Sequence, residues 1–384
     1  MADKEKIPGG SPAEMSAEEV LQKFDKESDK REMDGLWGHL ISGICILFAV
    51  FQLYTAIFGV LDAHLQRTVH LCFGLSLIYL LYPARAKWSR KAMHPADVIF
   101  ALLSVFATMY LVVEYDQLVL RAGMNTGTDI VIGLLGVVLV FEAARRTVGW
   151  PMITVALVFL AYAFAGPYMP GIMAHRGVGF DELVSHLYFT TEGIFGVPMG
   201  VSSTFIYLFI LFGAYLEATG LGKFFIDLAN ALAGWAVGGP AKVAVLSSGL
   251  MGTVSGSSVA NVAGTGSFTI PMMKKLGYRP SFAGAVEAAA STGGQLMPPV
   301  MGAAAFLMAE FVGVPYINVV KAAVIPAILY YTGIWIGVHY EARKYGLKGT
   351  PREELPKFGR LLAEKGHLAI PLIIIVYLLV TGYT

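Results

Sequence analysis

Small polar residues interrupt a long apolar stretch of this chain close to residue 255, and their chemistry suits ion and carboxylate binding. The residues concerned are Ser255, Gly256, Ser257, Ser258, Asn261, Thr265 and Ser267. Hydroxyl, amide and freed backbone carbonyl oxygens are hard ligands for a small cation, and N–H groups at the start of a helix favour a carboxylate. Close helix packing is the simpler explanation for small residues in a membrane. Packing accounts for the glycines but not for so many polar side chains in succession.

A second interruption follows within the next apolar stretch. Its polar and backbone-breaking residues are Ser291, Thr292, Gly293, Gly294, Gln295, Pro298 and Pro299. Two adjacent prolines remove two N–H donors, so carbonyl groups about one turn upstream lose their helix partners and can face an ion. A proline kink compensated by Ser or Thr is the alternative. Because Gly-Gly together with Pro-Pro exceeds what a kink needs, the pattern favours true unwinding.

Ionisable residues within apolar segments are candidates for function because they are costly at membrane depth. Glu287 lies one or two turns before the second interruption, and we predict a proton-titrating or site-supporting carboxylate there; a buried hydrogen-bonded role is the alternative. Glu217 and Glu310 lie near the ends of apolar segments and can reach the membrane interface. Glu142 precedes Arg145 and Arg146 by about one turn, which predicts a structural ion pair.

Composition places the chain in a membrane. The sequence is 56% hydrophobic and only 14% charged, below the roughly one quarter charged residues of a soluble domain. No basic stripe suited to nucleic acid is visible. Neither a zinc-binding spacing, nor a phosphate-binding Gly-rich loop, nor a catalytic constellation is present, so we predict neither an enzyme nor a cofactor. The two cysteines lie in apolar stretches and imply no disulfide framework.

The apolar segments predict an all-α polytopic membrane protein with about nine transmembrane helices and one re-entrant helical hairpin. The predicted spans cover residues 36–60, 66–82, 96–114, 129–147, 150–166, 201–219, 281–313, 316–340 and 367–384. Residues 220–239 are amphipathic, which predicts an interfacial helix. Residues 240–279 form the hairpin, and 281–313 form a broken helix. Two broken elements close together are typical of a secondary transporter that holds its solute near the membrane midplane.

Lysine and arginine set the predicted orientation. A hydrophilic tail, residues 1–35, precedes the first span, and we place it in the cytoplasm. The excess of basic residues in cytoplasmic loops supports that placement. If residues 240–279 crossed the membrane fully, the basic loop at 343–365 would move outside, so the re-entrant arrangement is preferred.

The two interrupted segments resemble a known family. The stretches SGSSVANVAGTGSFTIPMMKKLGY and AGAVEAAASTGGQLMPPVMGAAAF are similar to the first hairpin and broken helix of the large membrane subunit of TRAP (tripartite ATP-independent periplasmic) transporters. FEAARRTVGWP, AHRG and SHLYFTTEGIFGVP resemble the TAXI-type branch, in which a four-helix small subunit is fused ahead of the large one. By this resemblance, residues 36–148 correspond to the small subunit and 149–384 to the large subunit.

The resemblance implies an elevator-type symporter in the cytoplasmic (inner) membrane of a bacterium or archaeon. A periplasmic substrate-binding protein delivers an organic anion, typically a carboxylate, to an exterior face that includes residues 167–200. Ser255–Ser258 with Asn261, and Gly293–Pro299, would frame the first cation site. Many family members have Asp where this chain has Asn261, so the coupling ion is Na⁺ or H⁺.

The chain also departs from the family pattern. Only the first of two inverted repeats is recognisable, and residue 384 lies within an apolar stretch, so we expect a fragment of a longer permease. Two other functions stay open from the sequence: a stand-alone ion-coupled carboxylate carrier, and a truncated, inactive membrane scaffold. The solute itself is not identified by the sequence.

Overall fold

A computed structural model describes residues 30–31, 33–85, 88 and 92–381. Most of the predicted tail, residues 1–35, lies outside these ranges. Over the described residues the chain is helical and contains no strand. It divides into two compact units, residues 1–204 and 205–384, each with its own core. The all-α prediction is confirmed.

The first unit is built from membrane-length helices joined by short turns. Its helices are α1 (Gly35–Phe58), α2 (Ala63–Leu81), α3 (Pro95–Val113), α4 (Tyr115–Leu120), α5 (Gly127–Thr147), α6 (Trp150–Ala165), α7 (Phe180–Phe189) and α8 (Val197–Val201), followed by a π-helical turn, Ser202–Ile206. Local sequence sets several of these ends. Thr126 and Asp129 form a reciprocal capping box at the start of α5, and a proline occupies the first turn of α3.

Helices α2, α3, α5 and α7 pack around the core of the first unit. Tyr79 is fully buried and donates its hydroxyl to the Leu139 carbonyl at 2.5 Å, so its polar end is satisfied inside the bundle. Gly136 leaves room for the ring of Tyr188, because a Cβ at that position would overlap the ring. This close approach attaches α7 to α5.

A buried ionic cluster holds one end of the first unit together. Asp97 accepts hydrogen bonds from Arg31 at 2.6 Å and from Arg146 at 2.7 Å, and all three side chains are inaccessible to solvent. Glu142 pairs with Arg145 at 2.8 Å and with Arg146 at 2.9 Å. The predicted ion pair of Glu142 is therefore confirmed.

The second unit contains the hairpin and the broken helix. Its helices are α9 (Tyr207–Ala218), α10 (Leu221–Ala233), α11 (Gly239–Ser255), α12 (Ser258–Lys275), α13 (Pro280–Gly293), α14 (Ala303–Val312), α15 (Tyr316–Lys344), α16 (Phe358–Lys365) and α17 (Ile370–Thr381). Helices α11 and α12 are consecutive and pack along each other, which confirms a helical hairpin at 240–279, while its re-entrant placement in the membrane stays a prediction. Helix α10 buries Leu221, Phe224 and Phe225 on one face. That pattern agrees with the predicted amphipathic helix at 220–239, whose place at the membrane surface stays a prediction.

Seven helical segments of the described residues are long and apolar enough to cross a membrane: Gly35–Phe58, Pro95–Val113, Gly127–Thr147, Trp150–Tyr168, Val197–Ala218, Tyr316–Lys344 and Arg352–Thr381. The other two predicted spans are also helical. Helix α2 is long enough but carries polar residues such as Gln66 and His70, and the predicted span 281–313 is divided between α13 and α14. The chain is thus a multi-pass helical membrane protein.

The predicted domain boundary and the structural division fall at different places. Residues 149–204 group with the first unit, since α7 packs on α5. The boundary at 148/149 concerns correspondence to the small and large subunits of a family, whereas the division at 204/205 reflects packing. The assignment of residues 36–148 to a small subunit, and the cytoplasmic position of the N-terminus, stay predictions.

Candidate functional site

The hairpin tip, residues 255–258, is a tight turn between two helices. Gly256 ends α11 in the left-handed conformation, with φ of 58°, which a residue without Cβ adopts at no steric cost. Ser257 then caps α12, accepting a hydrogen bond from the Ala260 amide at 3.3 Å. Ser255 has a buried hydroxyl oxygen with no hydrogen-bond partner in the described structure. The tip therefore presents a helix N-terminus and an unsatisfied hydroxyl.

The break, residues 294–302, separates α13 from α14. A short 3₁₀ turn, Gly294–Leu296, follows α13, the Pro298–Pro299 peptide bond is cis, and Met301 has a positive φ of 56°. A non-glycine residue in that region is unusual and tends to occur at functional sites. The unwinding predicted from Gly293, Gly294, Pro298 and Pro299 is present.

The tip lies against the break. The Gln295 side chain donates to the Ser258 hydroxyl at 2.7 Å. The Val300 amide donates to the Thr253 carbonyl at 3.3 Å, and a Cβ on Gly256 would overlap the Met301 carbonyl oxygen. Residues from both predicted stretches thus meet at one place.

Two glycines form a backbone-to-backbone contact just behind the tip. A Cβ built on Gly294 would lie 2.8 Å from the Gly252 Cα, and a Cβ on Gly252 would overlap Gly294 in turn. No side chain fits between α11 and the start of the break. Gly293, one residue earlier, lies against the rings of Tyr330 and Tyr331 on α15.

Glu287 is the centre of a buried polar cluster in the second unit. Its carboxylate is fully buried and accepts hydrogen bonds from Ser248 at 2.9 Å, Thr265 at 2.5 Å and Ser291 at 3.2 Å, and another from Thr269. These donors come from α11, α12 and α13. The carboxylate therefore joins both arms of the hairpin to the first half of the broken helix.

Asn261 lies inside the hairpin rather than on its open end. Its side chain is fully buried, its amide nitrogen donates to the Ser248 carbonyl at 2.8 Å, and its backbone carbonyl oxygen lies 2.8 Å from the Thr265 hydroxyl oxygen. The side chain extends the Glu287 cluster toward the tip. A neutral amide at this position satisfies the facing backbone without adding a buried charge.

Two predicted site residues lie apart from both groups. Ser267 and Thr292 are exposed, and their hydroxyls donate to carbonyls of their own helices, those of Gly264 and Ala288. Helical geometry explains this, because neighbours at i+1 or i+2 point to different faces from Thr265 and Ser291. Their predicted part in binding stays untested.

Ser248, Thr269 and Gly252 contribute to the site although the sequence reasoning did not select them. Asn261, Thr265 and Thr269 are spaced by four residues, as are Glu287 and Ser291, so each set occupies one helix face. This four-residue spacing is the sequence feature from which Thr269 could have been predicted as a member of the site. Ser248 carried no such signal, because a serine within a helix ordinarily bonds to its own backbone.

Tyr331 braces the end of α13, donating its hydroxyl to the Ala290 carbonyl at 2.9 Å. Tyr331→Phe removes this hydrogen bond and keeps the ring, so we expect the free energy of unfolding to fall by about 1 kcal/mol. Thermal unfolding of the purified chain in detergent measures the change. Tyr340→Phe, at an exposed position on the same helix, is the control and should leave the midpoint unchanged. Equal midpoints for both variants would contradict the bracing role.

The helical fold and the tip–break arrangement define a polytopic membrane permease. A family model described as "Tripartite ATP-independent periplasmic transporter, DctM component" matches residues 135–384. The chain belongs to this family, and the curated relatives that it matches are named as transporter permeases, not enzymes.

Curated relatives agree with the family assignment. The chain is 34% identical over 147 residues to the C4-dicarboxylate TRAP transporter large permease protein DctM of Pseudomonas aeruginosa, covering 38% of this chain and 34% of the relative. It is 27% identical over 233 residues to the protein of the same name from Vibrio cholerae, covering 59% of this chain and 50% of the relative.

A third relative is the isethionate TRAP transporter permease protein DctMQ of Oleidesulfovibrio alaskensis. The identity is 28% over 169 residues, which cover 44% of this chain and 26% of the relative. The chain therefore spans half or less of the length of each of these relatives.

Proposed function

We propose that this chain forms part of the membrane permease of a TRAP-type secondary transporter that imports an organic anion, a carboxylate, by symport with Na⁺ or H⁺. The transporter lies in the inner membrane with the N-terminus in the cytoplasm. A periplasmic substrate-binding protein delivers the solute. The observation that carries the proposal is the hairpin tip packed against an unwound helix, where backbone and hydroxyl groups are left free of regular helix bonding.

The tip and the break supply the chemistry that a coupled cation needs. The Ser258 hydroxyl accepts from Gln295 of the break, and Gly256, between Ser255 and Ser257, approaches the Met301 carbonyl oxygen. Hydroxyl and carbonyl oxygen atoms of this kind are ligands for hard cations. Ser255 Oγ is buried without a partner, which costs free energy unless a ligand satisfies it. This donor set is neutral, so a bound Na⁺ would keep its charge and attract an anionic solute.

The start of α12 supplies complementary chemistry for the solute. Backbone N–H groups of its first turn point outward at the tip, and the helix dipole places partial positive charge there. Ser257 caps only one of these amides, that of Ala260. A carboxylate of the solute can accept from the others, beside the cation site. The relatives support an anionic solute, since their names specify C4-dicarboxylate, isethionate, sialic acid and 2,3-diketo-L-gulonate.

Proton coupling would use Glu287 in place of the Na⁺ site. Glu287 is linked to the tip through Thr265 and Asn261, whose backbone amide donates to the Ser257 carbonyl. Its hydroxyl partners can act as donors or acceptors, so they accommodate either charge state of the carboxyl group. In both versions the hairpin and the broken helix move as one elevator-like body with the solute.

The test is solute uptake into proteoliposomes that contain the assembled transporter with its binding protein, under an imposed Na⁺ or pH gradient. We expect uptake of a carboxylate to depend on one of the two gradients and on the binding protein. Uptake that is indifferent to both gradients would overturn symport. Gradient-driven uptake without the binding protein would instead identify a stand-alone carrier.

A further inference from the structure

A cavity of about 360 Å³ lies at one end of the first unit, far along the chain from the hairpin and the break. Three separate segments line it: the turn that starts α2, the α4 region with the turn after it, and the end of α7 with the residues that follow. These segments follow α1, α3 and α6, so they belong to the same end of the bundle. None of the residues that line this cavity belongs to the hairpin tip, the break or the Glu287 cluster.

Asp62 is the acidic residue of the cavity lining, and no arginine or lysine lines it. The His64 backbone amide donates to the Asp62 carboxylate at 3.0 Å. The nearby Tyr115 hydroxyl and this amide lower the pKa of Asp62 below its ordinary value. The nearby Asp62 carboxylate raises the pKa of Tyr115 to about 12, so the hydroxyl stays protonated at neutral pH. The cavity therefore holds a permanent negative charge at neutral pH.

Basic side chains at this end of the unit have other partners. Arg121 pairs with Asp129 at 2.9 Å, Arg176 pairs with Glu182 at 3.1 Å, and Arg67 donates to the Phe195 carbonyl at 2.7 Å. Within the part of the chain that the structure describes, Asp62 forms no ion pair. The Asp62 side chain is exposed, so within the described residues its charge is left to solvent or to a bound cation rather than to an ion pair.

Aromatic rings surround this charge. Tyr115, His64 and Phe189 all line the cavity, and the ring centroids of Tyr115 and His64 lie 6.4 Å apart. Ring faces attract a cation electrostatically, and a carboxylate beside them adds a charge-assisted hydrogen bond. Polar side chains of Asn125 and Thr191 complete the lining and can accept further hydrogen bonds.

We propose that this cavity binds a positively charged amino group, held between the Asp62 carboxylate and the Tyr115 and Phe189 rings. The ligand is either a free organic amine or a lysine side chain of another protein. Helix capping is the simpler role for Asp62, which accepts from the His64 amide at 3.0 Å. Capping explains why one oxygen of the Asp62 carboxylate is bonded to the His64 amide. It does not explain why aromatic residues line a cavity beside a carboxylate that has no ion pair within the described residues.

Cysteine protection tests the proposal on the full chain in detergent. Thr191→Cys, in a background with Cys45→Ser and Cys72→Ala, places a thiol at the exposed rim of the cavity. A neutral thiol reagent is applied with n-butylammonium, with Nα-acetyl-lysine methylamide, or with 1-butanol as the uncharged control. At an amine concentration about ten times its dissociation constant, mass action predicts labelling about tenfold slower, and butanol should give no protection.

Asp62→Asn should abolish the protection, and because asparagine also caps helices the variant keeps its fold. Asp116→Asn is the matched control: it is exposed, adjacent to Tyr115 and outside the lining, and it should retain the protection. Protection by n-butylammonium indicates a free amine, and protection by the lysine derivative alone indicates a protein side chain. Equal labelling with and without both amines, or protection that survives Asp62→Asn, overturns the proposal.

Discussion

Gly256→Val is expected to reduce solute uptake by the assembled transporter to background, while the chain still inserts into the membrane. Gly256 has φ of 58°, a conformation that costs a residue with Cβ about 1–2 kcal/mol, and more for a β-branched one. In addition, the new Cβ would overlap the Met301 carbonyl oxygen, so the tip could not stay against the break. Uptake into proteoliposomes, normalised to the inserted protein, measures the effect.

Gly284→Val is the matched control for this prediction. Gly284 lies in the middle of α13, and a Cβ there meets no atom within 4 Å. The same substitution should therefore keep most of the uptake, since a β-branched residue costs a helix less than about 1 kcal/mol. Wild-type uptake by Gly256→Val would show that the tip–break contact is dispensable for transport.

Glu287→Ala is expected to lower the free energy of unfolding by about 3 kcal/mol or more, since it creates a cavity and leaves buried hydroxyls without their acceptor. Four hydroxyl groups from three helices donate to this carboxylate. Glu287→Gln keeps the volume and one acceptor oxygen, so about 1 kcal/mol is expected for it. Thermal unfolding in detergent, supported by the rate of proteolysis within the hairpin, measures the relative stability of the two variants and the wild-type chain.

Glu310→Ala provides the comparison, because Glu310 is an exposed acidic residue on α14. Its removal should shift the unfolding midpoint by no more than the scatter between preparations. The cluster would lose its assigned role if Glu287→Ala and Glu310→Ala unfolded at the same temperature. A lower unfolding temperature for Glu287→Gln than for Glu287→Ala would also contradict the proposed role of these hydrogen bonds.

The hairpin and the broken helix could be predicted from the sequence because their signals are strong and local. Gly293, Gly294 and the two prolines at 298 and 299 contradict a continuous helix within an apolar stretch, and the structure unwinds there. The hairpin prediction of 240–279 differs from the observed helices, Gly239–Ser255 and Ser258–Lys275, by one residue at its start and four at its end. Its turn at Gly256 and Ser257 lies within the polar run that suggested it.

Side-chain partners were less accessible to sequence reasoning, because they depend on which helix faces meet. Ser267 and Thr292 belong to the same polar runs as Thr265 and Ser291, yet they point away from the Glu287 cluster. Ser248 has no polar residue four positions away on its own helix, and it joins the cluster through packing of α11 on α12 and α13. Composition predicts that a polar site exists, and only the fold selects its members.

The division of the chain into units shows the same limit. Sequence resemblance separates residues 36–148 from those that follow, but α7 returns to α5 and joins the first unit. The contact depends on Gly136 admitting the ring of Tyr188, a long-range fit between residues far apart in the chain. A contact between residues so far apart in the chain cannot be predicted from the local sequence around either of them.

In a laboratory selection for variants that transport other solutes, Gly252 and Gly294 are expected to tolerate no substitution. With main chain touching main chain, libraries at these two codons should return glycine whatever compound is supplied for growth. Ser257 and Gln295 are exposed and have no such main-chain contact, so diversity is better directed there, with side chains that keep the Ser257 cap and the Gln295 hydrogen bond to Ser258.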